Sequence, residues 1–439
     1  MIETTATKCE NRPQTLRTNG GECVLISYDF STRIVGGSVR LASMARTLPD
    51  FGWTPHVLTA SPPDEHPPIA DGTVTHIRSS ERGFGGGIRI GESGASTLGQ
   101  SPTWLRGLDP LKAFLPLERQ LTWFPSFFKQ AESGVNGREI RAVVTTAAPY
   151  VCLLLGHWLS RKLQVPHIVD IRDDWQDRFR IERRSALNRI LMEAYAGHVL
   201  REATAVTTVS GPLAKRLRDY GTPVRIIPNG YVEADFTNIP MAVTPVPSSG
   251  PLRMVHMGWL GDFRSIEPVL SCLQQLRAEG CTGKDICFEQ FGLIEENQER
   301  LMRGASLEDM VRIYRQVDHH EAVDEMKRAD VLLAIPGSGI SAAVSGKLYE
   351  YLRVRRPILL YAGKGAAMDL AKNVGLHWQV NEGDQDGLVR SIRDLIRRKR
   401  TGTLSTNTHD ISQFERKNGV KKLANILNQS VVRSAEVMN

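Results

Sequence analysis

Short apolar runs alternate with amphipathic segments along most of the chain. Cys23–Ser27 is an apolar run too short for a helix, and from Ser38 to Leu48 apolar side chains recur at helical spacing. Another short apolar run follows at His56–Leu58. The order strand, helix, strand is typical of a βαβ unit, which predicts a parallel sheet with right-handed crossovers.

The same alternation continues to about residue 230. It predicts strands at Arg141–Thr145, His167–Ile171, Ala205–Val209 and Val224–Ile227, and helices at Tyr150–Leu163, Leu187–Arg201 and Pro212–Tyr220. Residues 60–130 differ because they are rich in proline and glycine, contain few periodic runs and include the aromatic patch Trp123–Phe128. We therefore predict an insertion at the edge of the first domain over about residues 60–130.

Residues 238–251 contain four prolines and cannot sustain a helix, which makes them the predicted linker. The alternation then resumes, with predicted strands at Leu252–His256, Ile286–Gln290, Val331–Ile335 and Pro357–Tyr361, and predicted helices at Ile266–Ala278, Glu296–Met302, Glu321–Arg328, Lys347–Val354 and Gly387–Arg398. The predicted fold class is α/β, with two doubly wound, Rossmann-like domains facing each other across a ligand cleft. The predicted divisions are a loose tail at 1–20, a first domain at 21–237, the linker at 238–251, a second domain at 252–407 and a C-terminal helix at 408–439.

Composition favours a soluble, cytoplasmic protein. Among the 439 residues, no apolar run approaches the ~20 residues that a membrane-spanning helix needs, and the polar first 19 residues lack the apolar segment of a secretory signal. The six cysteines show no C-x-x-C spacing, so we expect free thiols in a reducing compartment.

The formal net charge of +7 is densest at Arg178–Arg184 and at Arg397–Arg400. We expect both clusters to be solvated surface. The alternative is an anionic partner such as a membrane phosphate, which would place the protein peripherally at the inner face of the membrane. A nucleic-acid partner is not expected, because no aromatic residues are interleaved in a nucleic-acid-binding pattern.

Gly36 and Gly37 lie between the first predicted strand and the first predicted helix. Two glycines let the backbone approach a ligand, and a helix N-terminus favours negative charge by about 0.3–1 kcal/mol. The alternative is a plain tight turn. Because the sequence has no G-x-G-x-x-G pattern here, a nicotinamide dinucleotide is not expected.

Four charged residues, Asp170, Arg172, Asp173 and Asp174, crowd the end of a predicted strand. Charged groups at the carboxyl end of a strand are costly unless they are solvated, paired or used. We predict a site for an acceptor hydroxyl or a cation at the floor of the cleft. The alternative is an Asp–Arg pair at a domain edge.

In the second domain, Gly258 and Arg264 follow the strand Leu252–His256. A guanidinium in this position can bind a phosphate bidentately. The alternative is a solvated arginine after a turn.

The segment Ser345-Gly346-Lys347 opens another predicted helix, with Ser345 as its predicted N-cap. Its backbone N–H groups would point towards the cleft, and Lys347 would add a positive charge for a pyrophosphate. Glu350 lies on the same helix face and can accept both hydroxyls of a ribose, while Leu348 would pack the helix. The alternative is an ordinary capped helix with a solvated lysine and glutamate.

In this order, the motifs resemble the GT-B glycosyltransferases of the retaining family 4. The first domain contributes G-G-x-x-R at Gly36–Arg40, R-D-x-W at Arg172–Trp175, T-T-V-S at Thr207–Ser210 and I-I-P-N-G at Ile226–Gly230. The second contributes Gly258 with Arg264, K-L-Y-E-Y-L at Lys347–Leu352 and R-P-I-L at Arg356–Leu359. The resemblance extends from about Cys23 to the C-terminus.

The resemblance implies a nucleotide sugar, usually a UDP-sugar, held mainly by the second domain, and an acceptor held mainly by the first. The implied donor-binding residues are Gly36, Gly37, Gly258, Arg264, Val317, His319, Gly346, Lys347, Leu348 and Glu350. Of these, Arg264 and Lys347 would hold the diphosphate and Glu350 the ribose, while the segment Gln316–His319 would lie near the base. The implied acceptor side is Arg40, Arg172, Asp173 and Asp174, and the implied catalytic residues are Arg264, Lys347 and Asp173. The C-terminal helix would cross back onto the first domain.

The sequence also departs from the family pattern. Many members carry E-x7-E, but Ala342 stands eight positions before Glu350. The one D-x-D, Asp384–Asp386, precedes a late helix and is expected to cap it. We therefore expect no metal and no cofactor.

The expected function is retaining transfer of a sugar from a nucleotide sugar to a hydroxyl of a glycan, a lipid-linked compound or a secondary metabolite. Two alternatives stay open at this point. One is a GT-B sugar-nucleotide epimerase, and the other is a catalytically silent partner subunit that binds a nucleotide sugar.

Overall fold

The computed structural model describes residues 20–31, 36–77, 123–176, 186–237, 246–261, 263–339, 341–406 and 408–438. Residues 1–19 of the predicted tail, residues 78–122 of the predicted insertion, the whole basic cluster Arg178–Arg184 and residues 238–245 of the predicted linker lie outside the described residues.

Two parallel sheets organise the chain. The first has the order β3-β2-β1-β4-β5-β6-β7 and the second the order β10-β9-β8-β11-β12-β13. The strands are β1 (Gly21–Ile26), β2 (Trp53–Thr59), β3 (Thr73–His76), β4 (Ile140–Ala147), β5 (His167–Ile171), β6 (Ala205–Thr208), β7 (Val224–Ile226), β8 (Leu252–Met257), β9 (Ile286–Phe291), β10 (Val311–Tyr314), β11 (Val331–Ala334), β12 (Ile358–Ala362) and β13 (Trp378–Asn381). The predicted class, two doubly wound α/β domains, is confirmed.

Helices cover both faces of each sheet. They are α1 (Gly36–Thr47), α2 (Phe124–Val135), α3 (Val151–Leu163), α4 (Ala186–Glu202), α5 (Gly211–Leu217), α6 (Glu267–Ala278), α7 (Glu296–Gly304), α8 (His319–Arg328), α9 (Gly346–Val354), α10 (Ala366–Asn373), α11 (Gln385–Arg400) and α12 (Arg416–Met438). The apolar run Cys23–Ile26 of β1 is explained by the burial of both faces of the strand. Cys23 and Leu25 belong to one buried cluster and Val24 and Ile26 to another, because alternate side chains point to opposite faces and both faces are covered.

The structure corrects the predicted insertion at both of its described ends. Strand β3 extends the first sheet by pairing with β2, and the aromatic patch forms the start of α2. Trp123 and Phe127 are fully buried in the core of the first domain. Periodicity missed β3, as it missed β10 and β13, because strands of four residues at or near a sheet edge are too short to show a period.

The chain crosses between the domains twice, and the two crossings lie side by side. The Tyr231 N–H donates to the Phe414 carbonyl (3.2 Å) and the Arg416 N–H donates to the Tyr231 carbonyl (2.9 Å). Tyr231 and Phe236 pack in an apolar cluster of the second domain, as does Ile411. The first domain therefore ends near residue 230 and not at the predicted residue 237.

Helix α12 packs against the first domain. Leu423 and Leu427 are fully buried in a cluster with Leu41 and Trp53, and the Trp53 indole donates to the Asn428 side chain (3.0 Å). The last helix is thus part of the core of the first domain. No helix within the described ranges is both long and apolar enough to cross a membrane.

Candidate active site

The carboxyl edges of the two sheets face each other. Loops that follow strands of the first sheet bond to the segment before α9 in the second domain. The Asn229 side chain donates to the Val344 carbonyl (3.3 Å), and the Ser210 hydroxyl donates to the Ala342 carbonyl. In doubly wound folds, ligands bind at this edge, where the strand order reverses. That point lies between β1 and β4 in the first sheet and between β8 and β11 in the second.

Arg264 lies at the reversal point of the second sheet. It follows β8, and its guanidinium donates to the carbonyl of Pro336, which follows β11 (2.9 Å), and to the Trp259 carbonyl (3.4 Å). The described residues provide it with no carboxylate, and its buried Nε has no hydrogen-bond partner. Burial lowers the pKa of Arg264, yet a guanidinium remains protonated. An anionic ligand bound to Arg264 would compensate its positive charge.

Helix α9 points its N-terminus into the same region. The Ser345 side chain does not cap the helix, contrary to the prediction; instead the Leu348 N–H donates to the Ser345 carbonyl (3.1 Å). Lys347 pairs with Glu350 one turn later (Nζ–Oε2, 2.9 Å). The predicted diphosphate and ribose residues are therefore adjacent.

Leu348 is buried in the core of the second domain, which confirms that it packs the helix. Its side chain does not face a donor, so a donor contact through that side chain is wrong. Val317 is partly buried against the same core. Gly258 has a φ of 142°, which favours glycine, and its carbonyl accepts from the Gln290 side chain (2.7 Å). Gly258 therefore shapes the loop that leads to Arg264.

His319 pairs with Asp235, which lies in the segment where the chain crosses into the second domain. Its Nε2 lies 3.0 Å from the Asp235 carboxylate, and this hydrogen bond raises the pKa of His319 above its ordinary value. The other ring nitrogen, Nδ1, is buried without a partner.

All hydrogen-bond donors of the buried Arg40 are used within the protein. Its five N–H groups all have acceptors: both oxygens of Asp170 (2.8 Å each), the carbonyls of Ile227 (3.0 Å) and Pro228 (3.3 Å), and the Asn229 side chain (3.5 Å). Burial alone would raise the pKa of Asp170, but Arg40 and two threonine hydroxyls hold that pKa below its ordinary value. The predicted direct contact of Arg40 with an acceptor is therefore wrong. Arg40 positions β5 and the loop after β7.

The other acceptor-side residues differ in availability. Asp174 is buried and pairs with Arg216, and the Arg172 guanidinium donates to the carbonyls of Ala147 (3.3 Å) and Ala148 (2.6 Å). Asp173 has a side chain 54% exposed, 3.7 Å from Arg172. Asp173 is thus the most accessible carboxylate at this edge, while Asp174 and Arg172 hold the loop in place. Gly36 and Gly37 open α1.

Comparison with known proteins agrees with this geometry. The model of Glycosyltransferase Family 4 matches residues 34–234, somewhat under half of the chain. Sucrose-phosphate synthase from Thermosynechococcus elongatus is 14% identical, with 95% of this chain and 99% of that chain covered and a TM-score of 0.62. Anabaena HepE, solved in complex with UDP and glucose, is 14% identical over 93% of this chain and 100% of its own, with a TM-score of 0.63. WaaG, a glycosyltransferase involved in lipopolysaccharide biosynthesis, is 12% identical over 92% and 99%, with a TM-score of 0.55. No curated protein matches the sequence.

The chain has the GT-B fold, and its first domain resembles Glycosyltransferase Family 4. The family match covers most of the first domain, whereas the second domain shares the fold alone. The donor side lies in the second domain, so the contacts described above support it and the family match does not.

Sequence reasoning missed several charged residues beside the candidate site. Asp235, Arg216 and Arg416 carry charges at the domain junction, yet none lies in a motif or at a strand end that drew attention. Only charged neighbours from distant parts of the chain distinguish them from surface residues. In the described part of the chain, no three His, Cys, Asp or Glu side chains are grouped to hold a metal. Asp384 caps α11 by accepting from the Gly387 N–H (2.8 Å), as predicted.

Proposed function

We propose that this glycosyltransferase transfers a sugar from a nucleoside diphosphate sugar, a UDP-sugar, to an acceptor hydroxyl with retention at the anomeric carbon. The observation that supports it most is Arg264, a partly buried cation at the reversal point of the second sheet, to which the described residues provide no carboxylate. A diphosphate is the group that such a site favours. Similar folds solved in complex with UDP and with UDP-glucose support the same donor class.

The donor would lie along the second domain. Arg264, the Gly346 N–H and Lys347 would stabilise the charge that develops on the leaving diphosphate, and Glu350 would accept the ribose hydroxyls. Both Lys347 and Glu350 keep unused hydrogen-bonding capacity beside their mutual ion pair. His319 would lie near the base.

The proposed chemistry is a front-face displacement. The bond between the anomeric carbon and the phosphate oxygen breaks, and the acceptor oxygen bonds to the same face of that carbon. The acceptor proton goes to the departing phosphate. Ala342 is buried in an apolar cluster with side chains of the first domain, so a sugar-binding carboxylate at this position is replaced by a domain contact. Selection of the sugar would then depend on other residues.

The acceptor we propose is lipid-linked and presented at an anionic membrane surface. Helix α4 exposes Leu187, Ile190 and Leu191, which are 48%, 64% and 38% accessible. Four arginines precede this helix between residues 178 and 184. The helix also borders an open groove of about 710 Å³ whose lining includes Trp175, Arg189 and Arg201. Apolar side chains that follow a basic cluster in the sequence suit a surface of anionic lipid.

The test of the transferase activity is product formation. The purified protein is incubated with a panel of UDP-sugars and lipid-linked acceptors, and UDP release and product mass are measured. We expect UDP release coupled to a glycosylated product. Conversion of the donor sugar without transfer would support an epimerase instead, and absence of both activities would support the silent partner.

The membrane contact has its own test. We expect the wild type to sediment with phosphatidylglycerol vesicles and to stay in solution with phosphatidylcholine vesicles. Replacing Leu187 and Ile190 with serine should abolish sedimentation. Leu301→Ser is the matched control, because Leu301 is a comparably exposed leucine of the second domain (39%). Equal sedimentation of all three proteins would contradict the assignment of this face.

A further inference from the structure

We infer that Arg416, the first residue of the C-terminal helix α12, is an additional donor-binding residue whose guanidinium binds the diphosphate at the N-terminus of α9. The inference rests on the proposed function and extends it to a part of the chain that no motif marked.

The backbone of Arg416 is fixed at the junction of the domains. Its N–H donates to the Tyr231 carbonyl (2.9 Å), and the preceding Glu415 forms a parallel bridge with Tyr231. A Cβ atom added to Gly230 would lie only 1.9 Å from the Phe414 carbonyl oxygen, so the two crossing segments are in close contact. The side chain of Arg416 therefore starts from a well-defined position between the domains.

The guanidinium of Arg416 lies beside the start of α9. A Cβ atom on Gly346 would lie 3.8 Å from Arg416 Nη2. Glu350, Asp235 and Arg40 are close enough to act on the charge of Arg416. Among these neighbours, Glu350 is the residue proposed to bind the ribose. Gly346 is the first residue of the helix proposed to face the phosphates.

The carboxylates around Arg416 already have partners. Asp170 is bound by Arg40, Glu350 by Lys347, and Asp235 by His319. Within the described residues, the Arg416 side chain makes no hydrogen bond or ion pair. Burial, together with the like charge of Arg40, lowers the pKa of Arg416 to about 10, so the group is still charged at neutral pH.

An anionic ligand at the N-terminus of α9 would compensate the positive charge of Arg416. Helix α9 directs the positive end of its dipole and its first N–H groups to the same place where Arg416 stands. A diphosphate bound there would accept hydrogen bonds from Arg416 and from the helix, and its charge would offset a cation that the described residues leave unpaired. The backbone of Arg416 is fixed where the chain crosses between the domains. Donor binding would therefore also depend on the position of α12.

The experiment separates the phosphates from the nucleoside. Binding of UDP and of uridine is measured by titration calorimetry for the wild type, Arg416→Ala, Arg416→Lys and Lys417→Ala. We expect Arg416→Ala to weaken UDP binding by about 10- to 150-fold while uridine binding stays the same, because only the charged hydrogen bonds to phosphate are lost. Arg416→Lys should fall between, since an ammonium keeps the charge and loses the fork geometry.

Lys417→Ala is the matched control, because Lys417 is the next residue of the same helix and pairs with Asp50 on the surface (2.9 Å). It should bind both ligands like the wild type. If Arg416→Ala weakens UDP and uridine alike, or changes neither, the inference is wrong although the proposed function stands. Failure of the wild type to bind UDP would instead overturn the proposed function and the inference with it. If Arg416→Ala does not fold, Arg416→Lys serves as the test, and wild-type affinity for UDP in that variant would contradict the inference.

Discussion

Two arginines of the cleft, Arg264 and Arg40, should respond in opposite ways to the same substitution. Methionine keeps most of the apolar stem of an arginine and removes the guanidinium. Arg264 has no carboxylate partner among the described residues, whereas Arg40 binds both oxygens of the fully buried Asp170. We expect Arg264→Met to impair donor binding with little change in stability, and Arg40→Met to destabilise the fold.

The magnitudes follow from these contacts. Loss of a charged hydrogen bond to phosphate costs roughly 1.5–3 kcal/mol, so Arg264→Met should weaken UDP binding by about 10- to 150-fold. Its stability should change by no more than about 1 kcal/mol, because losing the bonds to two carbonyls is offset by removing a buried, unpaired charge. Arg40→Met leaves Asp170 charged and buried without its cation, which typically costs 3–5 kcal/mol.

The assay combines calorimetric titration with UDP and equilibrium unfolding in urea for the wild type and both variants. The unfolding curve is followed by tryptophan fluorescence, and the transition of the first domain should shift only in Arg40→Met. The reasoning would be refuted if Arg264→Met lost as much stability as Arg40→Met while it bound UDP with wild-type affinity.

Three further outcomes are expected. Turnover should persist in EDTA, and its loss with rescue by Mg²⁺ would contradict a metal-independent mechanism. The His319–Asp235 pair should stabilise the protein fully below about pH 6.5 and lose this contribution as the pH rises through the raised pKa of His319. Asp235→Asn should lower the pKa of His319 in an NMR titration, and an unchanged pKa would disprove the assigned cause. Leu427→Ala should cost roughly 2–5 kcal/mol in urea unfolding, because Leu427 is fully buried, whereas Val432→Ala on the same helix, 44% exposed, should change stability by less than about 0.5 kcal/mol.

The sequence alone was sufficient for the class of fold. Apolar runs and helical periods located most of the strands and helices to within a few residues, because burial on both faces of a parallel sheet demands continuous apolar sequence. The strand Leu252–Met257 and the helix Gly346–Val354 are examples, and both lead to the donor side of the cleft. The motif order pointed to the GT-B glycosyltransferases, and the structure agrees with that architecture.

The role of a charged residue was decided only by the tertiary structure. Arg40 and Arg264 both follow a strand and a glycine turn, and nothing local shows which of them is neutralised within the protein. Arg40 binds Asp170, which lies 130 positions later in the sequence, and this pair gives Arg40 a structural role. Arg264 and Arg416 remain without a carboxylate in the described part of the chain, which is visible only when distant segments are placed together. Periodicity reports whether a residue is buried, but compensation of its charge depends on partners that the fold brings from elsewhere in the chain.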